Sequence, residues 1–121
     1  MSNLRVLILE DEFFVALDLE QIVQTHMPAA KVVLCTSVSE AQVALQEPIE
    51  LALLDIDVLD GKSFPVAQAL AERGTPFAFV SSHRPDDVPA HLVQAPFVPK
   101  PFAAPLIQQT LQTIMPLAVS R

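Results

Sequence analysis

The sequence is poor in cysteine, in cations and in long apolar runs, and each shortage removes a class of protein. Cys35 is the single cysteine, so a disulfide framework and a thiolate metal cluster are both excluded. It lies in the run Val32-Val33-Leu34-Cys35, where a buried and unreactive strand thiol is expected. The histidines His26, His83 and His91 lie apart without ligand spacing, which argues against a zinc site. Lys and Arg number 7 against 14 Asp and Glu, a formal net charge of -7. Phosphate backbones require clustered cations, so direct nucleic-acid binding is disfavoured, whereas metal cations and basic partner surfaces are favoured. The apolar runs are short and broken by charge, so no membrane insertion is expected. Met1 to Glu10 carries no small-residue cleavage site, so no signal peptide is read there and a cytoplasmic location is expected.

What remains is a globular chain of 121 residues, 51% hydrophobic and 17% charged, read as one domain over 1–121 with no output domain, linker or low-complexity tract. Its centre is Leu51-Ala52-Leu53-Leu54-Asp55-Ile56-Asp57-Val58-Leu59-Asp60-Gly61. An apolar run that ends abruptly in a carboxylate reads as a strand buried on both faces, as in a parallel sheet covered by helices. Open α/β sheets place their sites at the carboxyl ends of the strands, which singles out Asp55.

The rest of the chain alternates strand and helix. Arg5-Val6-Leu7-Ile8-Leu9 is a second central strand and runs into Glu10-Asp11-Glu12. From Phe13 to Met27, Ala16, Leu19, Ile22 and Val23 share one face of an amphipathic helix that Pro28 ends. Lys31 to Thr36 is a strand, and Ser37 with Glu40 forms a predicted capping box for a helix carrying Ala41, Ala44 and Leu45. Ser63 is the predicted cap of a helix with Pro65 in its first turn, Val66, Ala69 and Leu70 inward, and Gly74 at its end. Pro76-Phe77-Ala78-Phe79-Val80 is a strand ending at Ser81-Ser82-His83. Pro85, Pro89 and Pro96 leave Arg84 to Pro96 room for little more than an irregular turn or two of helix, so the fourth helix is expected to be short or irregular. Phe97-Val98-Pro99 is a short last strand leading into Lys100-Pro101-Phe102. Ile107, Leu111 and Ile114 stripe a final helix, which Pro116 is expected to end, leaving Ala118 to Arg121 as a tail. The (βα)5 order specifies a three-layer α/β sandwich with helices on both faces of a parallel sheet.

Glu10 and Asp11, Asp55, Ser81 and Lys100 therefore all fall at the carboxyl ends of strands. Gathered carboxylates repel unless a cation joins them, and hard oxygen ligands suit Mg²⁺. A hydroxyl and an ammonium beside such a site suit a phosphoryl group. Asp57 and Asp60 are read as turn formers, and Phe13 and Phe14 as core or partner-facing residues.

In these features the chain resembles the receiver domain of two-component response regulators, over essentially its full length. The matching motifs are Leu9-Glu10-Asp11-Glu12, Leu53-Leu54-Asp55-Ile56-Asp57, Phe79-Val80-Ser81-Ser82 and Phe97-Val98-Pro99-Lys100-Pro101-Phe102. Pro76-Phe77-Ala78-Phe79-Val80-Ser81-Ser82-His83 is similar to the Phe-Ala-Thr-Gly-aromatic subfamily of alphaproteobacterial single-domain receivers, with Ser81 for Thr, Ser82 for Gly and His83 for the aromatic. The resemblance implies a flavodoxin-like fold of strand order 2-1-3-4-5. It implies that Asp55 accepts a phosphoryl group from the phosphohistidine of a sensor histidine kinase or histidine phosphotransfer protein. The phosphorylated chain would then switch protein contacts or serve as a phosphorelay or phosphate sink, with self-catalysed transfer and autodephosphorylation. Glu10, Asp11, Asp55 and the backbone carbonyl of Asp57 would hold Mg²⁺. Ser81 would be the switch hydroxyl, Phe97 the switch aromatic, Lys100 the phosphoryl partner, Pro101 a cis-proline and Asp57 a modulator of phosphoryl lifetime. Two other classes stand beside this one. Asp55-Ile56-Asp57 resembles the nucleophile and acid pair of haloacid dehalogenase phosphohydrolases, although that pair normally follows a first strand. The Ser81 and Ser82 replacements suit a pseudo-receiver that binds partners without being phosphorylated.

Overall fold

The structure is a computed structural model and describes residues 4–119. Five parallel strands, β1 (Arg5–Leu9), β2 (Lys31–Cys35), β3 (Leu51–Leu54), β4 (Phe77–Ser81) and β5 (Phe97–Pro99), form one sheet. Their spatial order is β2-β1-β3-β4-β5, the expected 2-1-3-4-5. Four helices connect and cover them: α1 (Phe13–His26), α2 (Val38–Ala44), α3 (Phe64–Glu72) and α4 (Ala104–Val119). Between β4 and β5 the fourth helical slot holds only two 3₁₀ turns, Pro85–Asp87 and Ala90–Leu92. Prolines that supply no amide donor and restrain the preceding residue account for the interruption.

Period-2 alternation divides the central strands between two cores. Leu7, Leu9, Ala52, Leu54, Phe77 and Phe79 face a core shared with Ala41 of α2, Val66, Ala67 and Leu70 of α3, and Leu92 of the second 3₁₀ turn. Val6, Ile8, Leu51, Leu53, Ala78 and Val80 face the opposite core, with Leu19 and Val23 of α1 and Ile107, Leu111 and Ile114 of α4. Each leucine fully buried in this way contributes about 1.5–3 kcal/mol of transfer free energy. The double-sided burial is why β1 and β3 read as unbroken apolar runs. Cys35 is buried at the end of the edge strand β2, and burial pushes its thiol up to about 11. No helix of the described residues is long and apolar enough to cross a membrane.

Three local expectations are corrected. Ser63 precedes α3, but its hydroxyl is fully buried without a hydrogen-bond partner; its carbonyl instead accepts from Val66 and Ala67. Ser37 does cap α2 through Glu40 N–H at 3.0 Å, whereas the Glu40 carboxylate reaches back one residue further, to Thr36 N–H at 2.6 Å. Pro116 stands within α4 instead of ending it. A proline near a helix end forfeits one amide bond, and the helix formers Leu117 and Ala118 follow it. Of the expected tail, Ala118 and Val119 belong to α4, and residues 120–121 lie outside the described part.

A two-stranded antiparallel ribbon, Asp57–Val58 with Gly61–Lys62, leaves the sheet directly after Asp55. Gly61 turns it at φ +136°, a conformation open essentially to glycine alone.

Candidate functional site

Strand register brings the predicted residues to one edge. Leu9 pairs with both Cys35 and Leu54, so Glu10 and Asp55 each stand one residue past a strand end. Glu10 N–H donates to Cys35 C=O and Asp55 N–H to Leu9 C=O, both at 2.9 Å. On the other side Ser81 pairs with Pro99, and Lys100 N–H donates to Ser81 C=O at 3.0 Å. These backbone bonds lie where the chain leaves the sheet, so side-chain positions at the edge are inherited from the core.

Lys100 is the centre of the charge arrangement. Its Nζ lies 3.0 Å from Asp55 Oδ2, 2.8 Å from Glu10 Oε1 and 3.1 Å from Glu12 Oε1. Three carboxylates around one partly buried ammonium hold the lysine well above its ordinary value, against the opposing effect of burial. Burial pushes the Glu10 carboxyl up to about 7, although Lys100 and the Glu12 amide pull it down. Glu10 Oε1 sits at ion-pair distance from Lys100 but receives no directed hydrogen bond. Asp55 is 7% exposed, and its Oδ1 accepts from the Ile56 amide at 2.7 Å. The peptide bond between Lys100 and Pro101 is cis.

Glu10, Asp11 and Asp55 each present a carboxylate oxygen within 4.8 Å of the others. Asp11 thus joins the acids around the site without an ion pair to Lys100, which engages Glu10, Glu12 and Asp55. Hard oxygen ligands and an excess of negative charge over the one ammonium fit a hard divalent cation. At the neighbouring strand end Ser81 is buried, and its hydroxyl accepts from His83 N–H at 3.1 Å. Phe97 is half-buried, with its ring centroid 6.5 Å from that of Phe79.

Several side-chain bonds near the edge were not expected from the sequence. Asp57, read as a turn former, places Oδ1 2.5 Å from Lys62 Nζ and Oδ2 against His83 Nε2. The other ring nitrogen of His83 lies 3.3 Å from Asp87 Oδ2. Lys62 first and His83 second lower the Asp57 carboxyl, while Asp57 is the main cause of a raised His83. Asp60, also read as a turn former, receives Val38 N–H at 2.6 Å, Ser39 N–H at 3.1 Å and the Ser39 hydroxyl at 2.8 Å. The signal for the ribbon lay in the Leu59-Asp60 turn followed by Gly61, with Asp57 and Lys62 as opposite charges flanking it. Nothing in the sequence alone joined His83 to Asp57. Phe13 and Phe14 are not core residues: they are 67% and 77% exposed and form an edge-on pair with centroids 5.3 Å apart.

No family model matches the sequence, and neither does any curated protein. Solved structures do match its fold. SdrG from Sphingomonas melonis Fr1 is 30% identical, with a TM-score of 0.76, over 98% of this chain and 99% of that one. A CheY-like response regulator receiver domain from Methanospirillum hungatei JF-1 is 20% identical, with a TM-score of 0.81, over 99% of this chain and 100% of that one. The response regulatory domain of mrkE from Klebsiella pneumoniae is 20% identical, with a TM-score of 0.82, over 98% and 100% respectively. In its sheet order and overall fold the chain is thus similar to CheY-like receiver domains of response regulators.

Proposed function

We propose that the chain is a phosphoacceptor receiver in which Asp55 takes a phosphoryl group from the phosphohistidine of a kinase or phosphotransfer protein. A carboxylate oxygen of Asp55 attacks phosphorus; an O–P bond forms while the N–P bond breaks, and the imidazole nitrogen leaves with the electron pair and takes up a proton. The catalytic work is positioning and charge stabilisation, as phosphoryl transfer requires. The observation that carries the reading is Lys100 Nζ at 3.0 Å from Asp55 Oδ2, on strand ends aligned by register. From there the ammonium is placed to pair with an incoming phosphoryl oxygen, and the Ser81 hydroxyl is available from the adjacent strand end.

Glu10, Asp11, Asp55 and the backbone carbonyl of Asp57 would hold Mg²⁺, which when bound supplies the positive charge that the acids and the phosphoryl oxygens lack. Asp57 flanks the site as a modulator of phosphoryl lifetime, and Phe97 follows Ser81 as the switch aromatic. The Pro76 to His83 stretch supports a place near the single-domain Phe-Ala-Thr-Gly-aromatic receivers.

The haloacid dehalogenase reading is disfavoured by chemistry. It needs Asp57 as a proton donor, yet Lys62 and His83 hold that carboxyl low and ionised. Incubation with acetyl phosphate and Mg²⁺, followed by mass spectrometry, tests the proposal: the chain gains one phosphoryl mass at Asp55. Labelling that survives Asp55→Ala overturns it, and an unlabelled wild-type chain favours the pseudo-receiver.

A further inference from the structure

We propose that a phosphoryl group on Asp55 is read out at the start of α2, through the 57–62 ribbon that connects the two. The inference rests on Asp55 being the phosphoacceptor.

The tip of the ribbon holds the helix. Asp60 accepts the amides of Val38 and Ser39 and the Ser39 hydroxyl, and Leu59 N–H donates to Thr36 C=O at 3.2 Å. Two of the orphan donors in the first turn of α2 are thus satisfied by a different segment of the chain. A third, Glu40 N–H, is satisfied locally by Ser37. At seven residues, α2 is far shorter than a helix that persists by itself, so it depends on packing and on these caps.

The base of the ribbon follows Asp55 directly in the chain. Asp57 stands two residues after Asp55 and is bound by Lys62 and His83. Those two cations line one cleft with Ile56, the residue that follows Asp55. His83 in turn uses its amide to engage the Ser81 hydroxyl. A phosphoryl group brings a charge of about -1.5 to -2 and three strong acceptors to this place. It competes with Asp57 for Lys62 and His83, and it can accept the Ser81 O–H while that oxygen still receives His83 N–H. The ion pairs at the ribbon base therefore have a new competitor once Asp55 is modified.

The ribbon is able to respond. Asp57 and Lys62 are largely exposed and Leu59 is 71% exposed, so polar bonds hold most of it and Val58 alone is buried. The 84–96 segment also borders the site, but Val88 and Leu92 anchor it in the core. Displacing the ribbon shifts Asp60 against α2, and the helix start loses or re-forms its cap.

Beryllofluoride with Mg²⁺ serves as the phosphoryl mimic, read by amide chemical shifts and hydrogen exchange. In the wild type the Val38 and Ser39 amides shift and their exchange changes several-fold. Asp60→Asn, which keeps one acceptor oxygen, weakens that response, and Asp60→Ala abolishes it. Both variants still gain phosphoryl mass at Asp55 from acetyl phosphate and Mg²⁺. Val38 and Ser39 amides that stay in place while Asp55 is phosphorylated overturn the readout, as does a response undiminished in Asp60→Ala. Absence of any mass gain in the wild type overturns the phosphoacceptor assignment, and the readout with it.

Discussion

His83 joins the strand end that carries Ser81 to the ribbon after Asp55, through a hydrogen bond between its Nε2 and the carboxylate of Asp57. Its other ring nitrogen faces Asp87. A protonated ring donates from both nitrogens, so the geometry selects the imidazolium.

His83 is accordingly expected to titrate above the ordinary 6.5, with Asp57 the larger cause and Asp87 the smaller. For a histidine raised on folding, the linked stability is complete below 6.5 and is lost as pH rises through the folded value. A pH series of imidazole NMR shifts should show this, and Asp57→Asn should bring the midpoint down. The melting-temperature advantage of wild type over His83→Gln should shrink as pH climbs from 6.5. An advantage that grows with pH would contradict the bridge.

Among the described residues, Lys100 alone compensates Glu10, Glu12 and Asp55. Lys100→Met leaves the buried Glu10 without its counter-charge, an outcome that costs about 3 kcal/mol in comparable buried pairs. Urea unfolding in metal-free buffer measures the loss. Added Mg²⁺ should recover more stability in the variant than in the wild type, because the ion takes over the missing charge. Equal stability of the two proteins without metal would show that the ammonium is not needed there.

Mg²⁺ should also stabilise the wild type by relieving repulsion among Glu10, Asp11 and Asp55. At free metal tenfold above its Kd the gain is about 1.4 kcal/mol. Thermal melts across a Mg²⁺ titration, with Asp11→Asn as the reference, read it directly. A wild-type melting temperature indifferent to millimolar Mg²⁺ would speak for the pseudo-receiver.

Gly61 has φ +136°, and an added Cβ would meet nothing within 4 Å. Any penalty for Gly61→Ala is therefore conformational rather than steric crowding by neighbours. It should amount to about 1–3 kcal/mol in denaturant unfolding. A neutral substitution would mean that the ribbon re-forms with another turn.

The sheet was legible because β1 and β3 are buried on both faces and say so in unbroken apolar runs. Asp55 was legible for the same reason, since a carboxylate ending such a run has few structural uses. Lys100 became meaningful only once order along the chain was read as adjacency at one edge. What escaped were bonds between distant exposed groups. Asp60 looks like any turn aspartate until α2 is placed beside it, and His83 looks like a lone histidine until Asp57 faces it. Composition and periodicity report burial, and neither bridge is buried. Pro116 misled in the opposite direction, because a strong local rule yields when flanking residues favour helix.

Cys35 turns its inaccessibility into a measuring device. It lies 4% exposed at the end of the edge strand, with its thiol pushed up to about 11, so a thiol-reactive dye labels it only when that edge opens. The same residue's carbonyl accepts the Glu10 amide, which links dye uptake to the acidic strand end. Whatever cation or phosphoryl group settles at that end should slow the dye, giving an optical clock for occupancy that needs no radioactive donor.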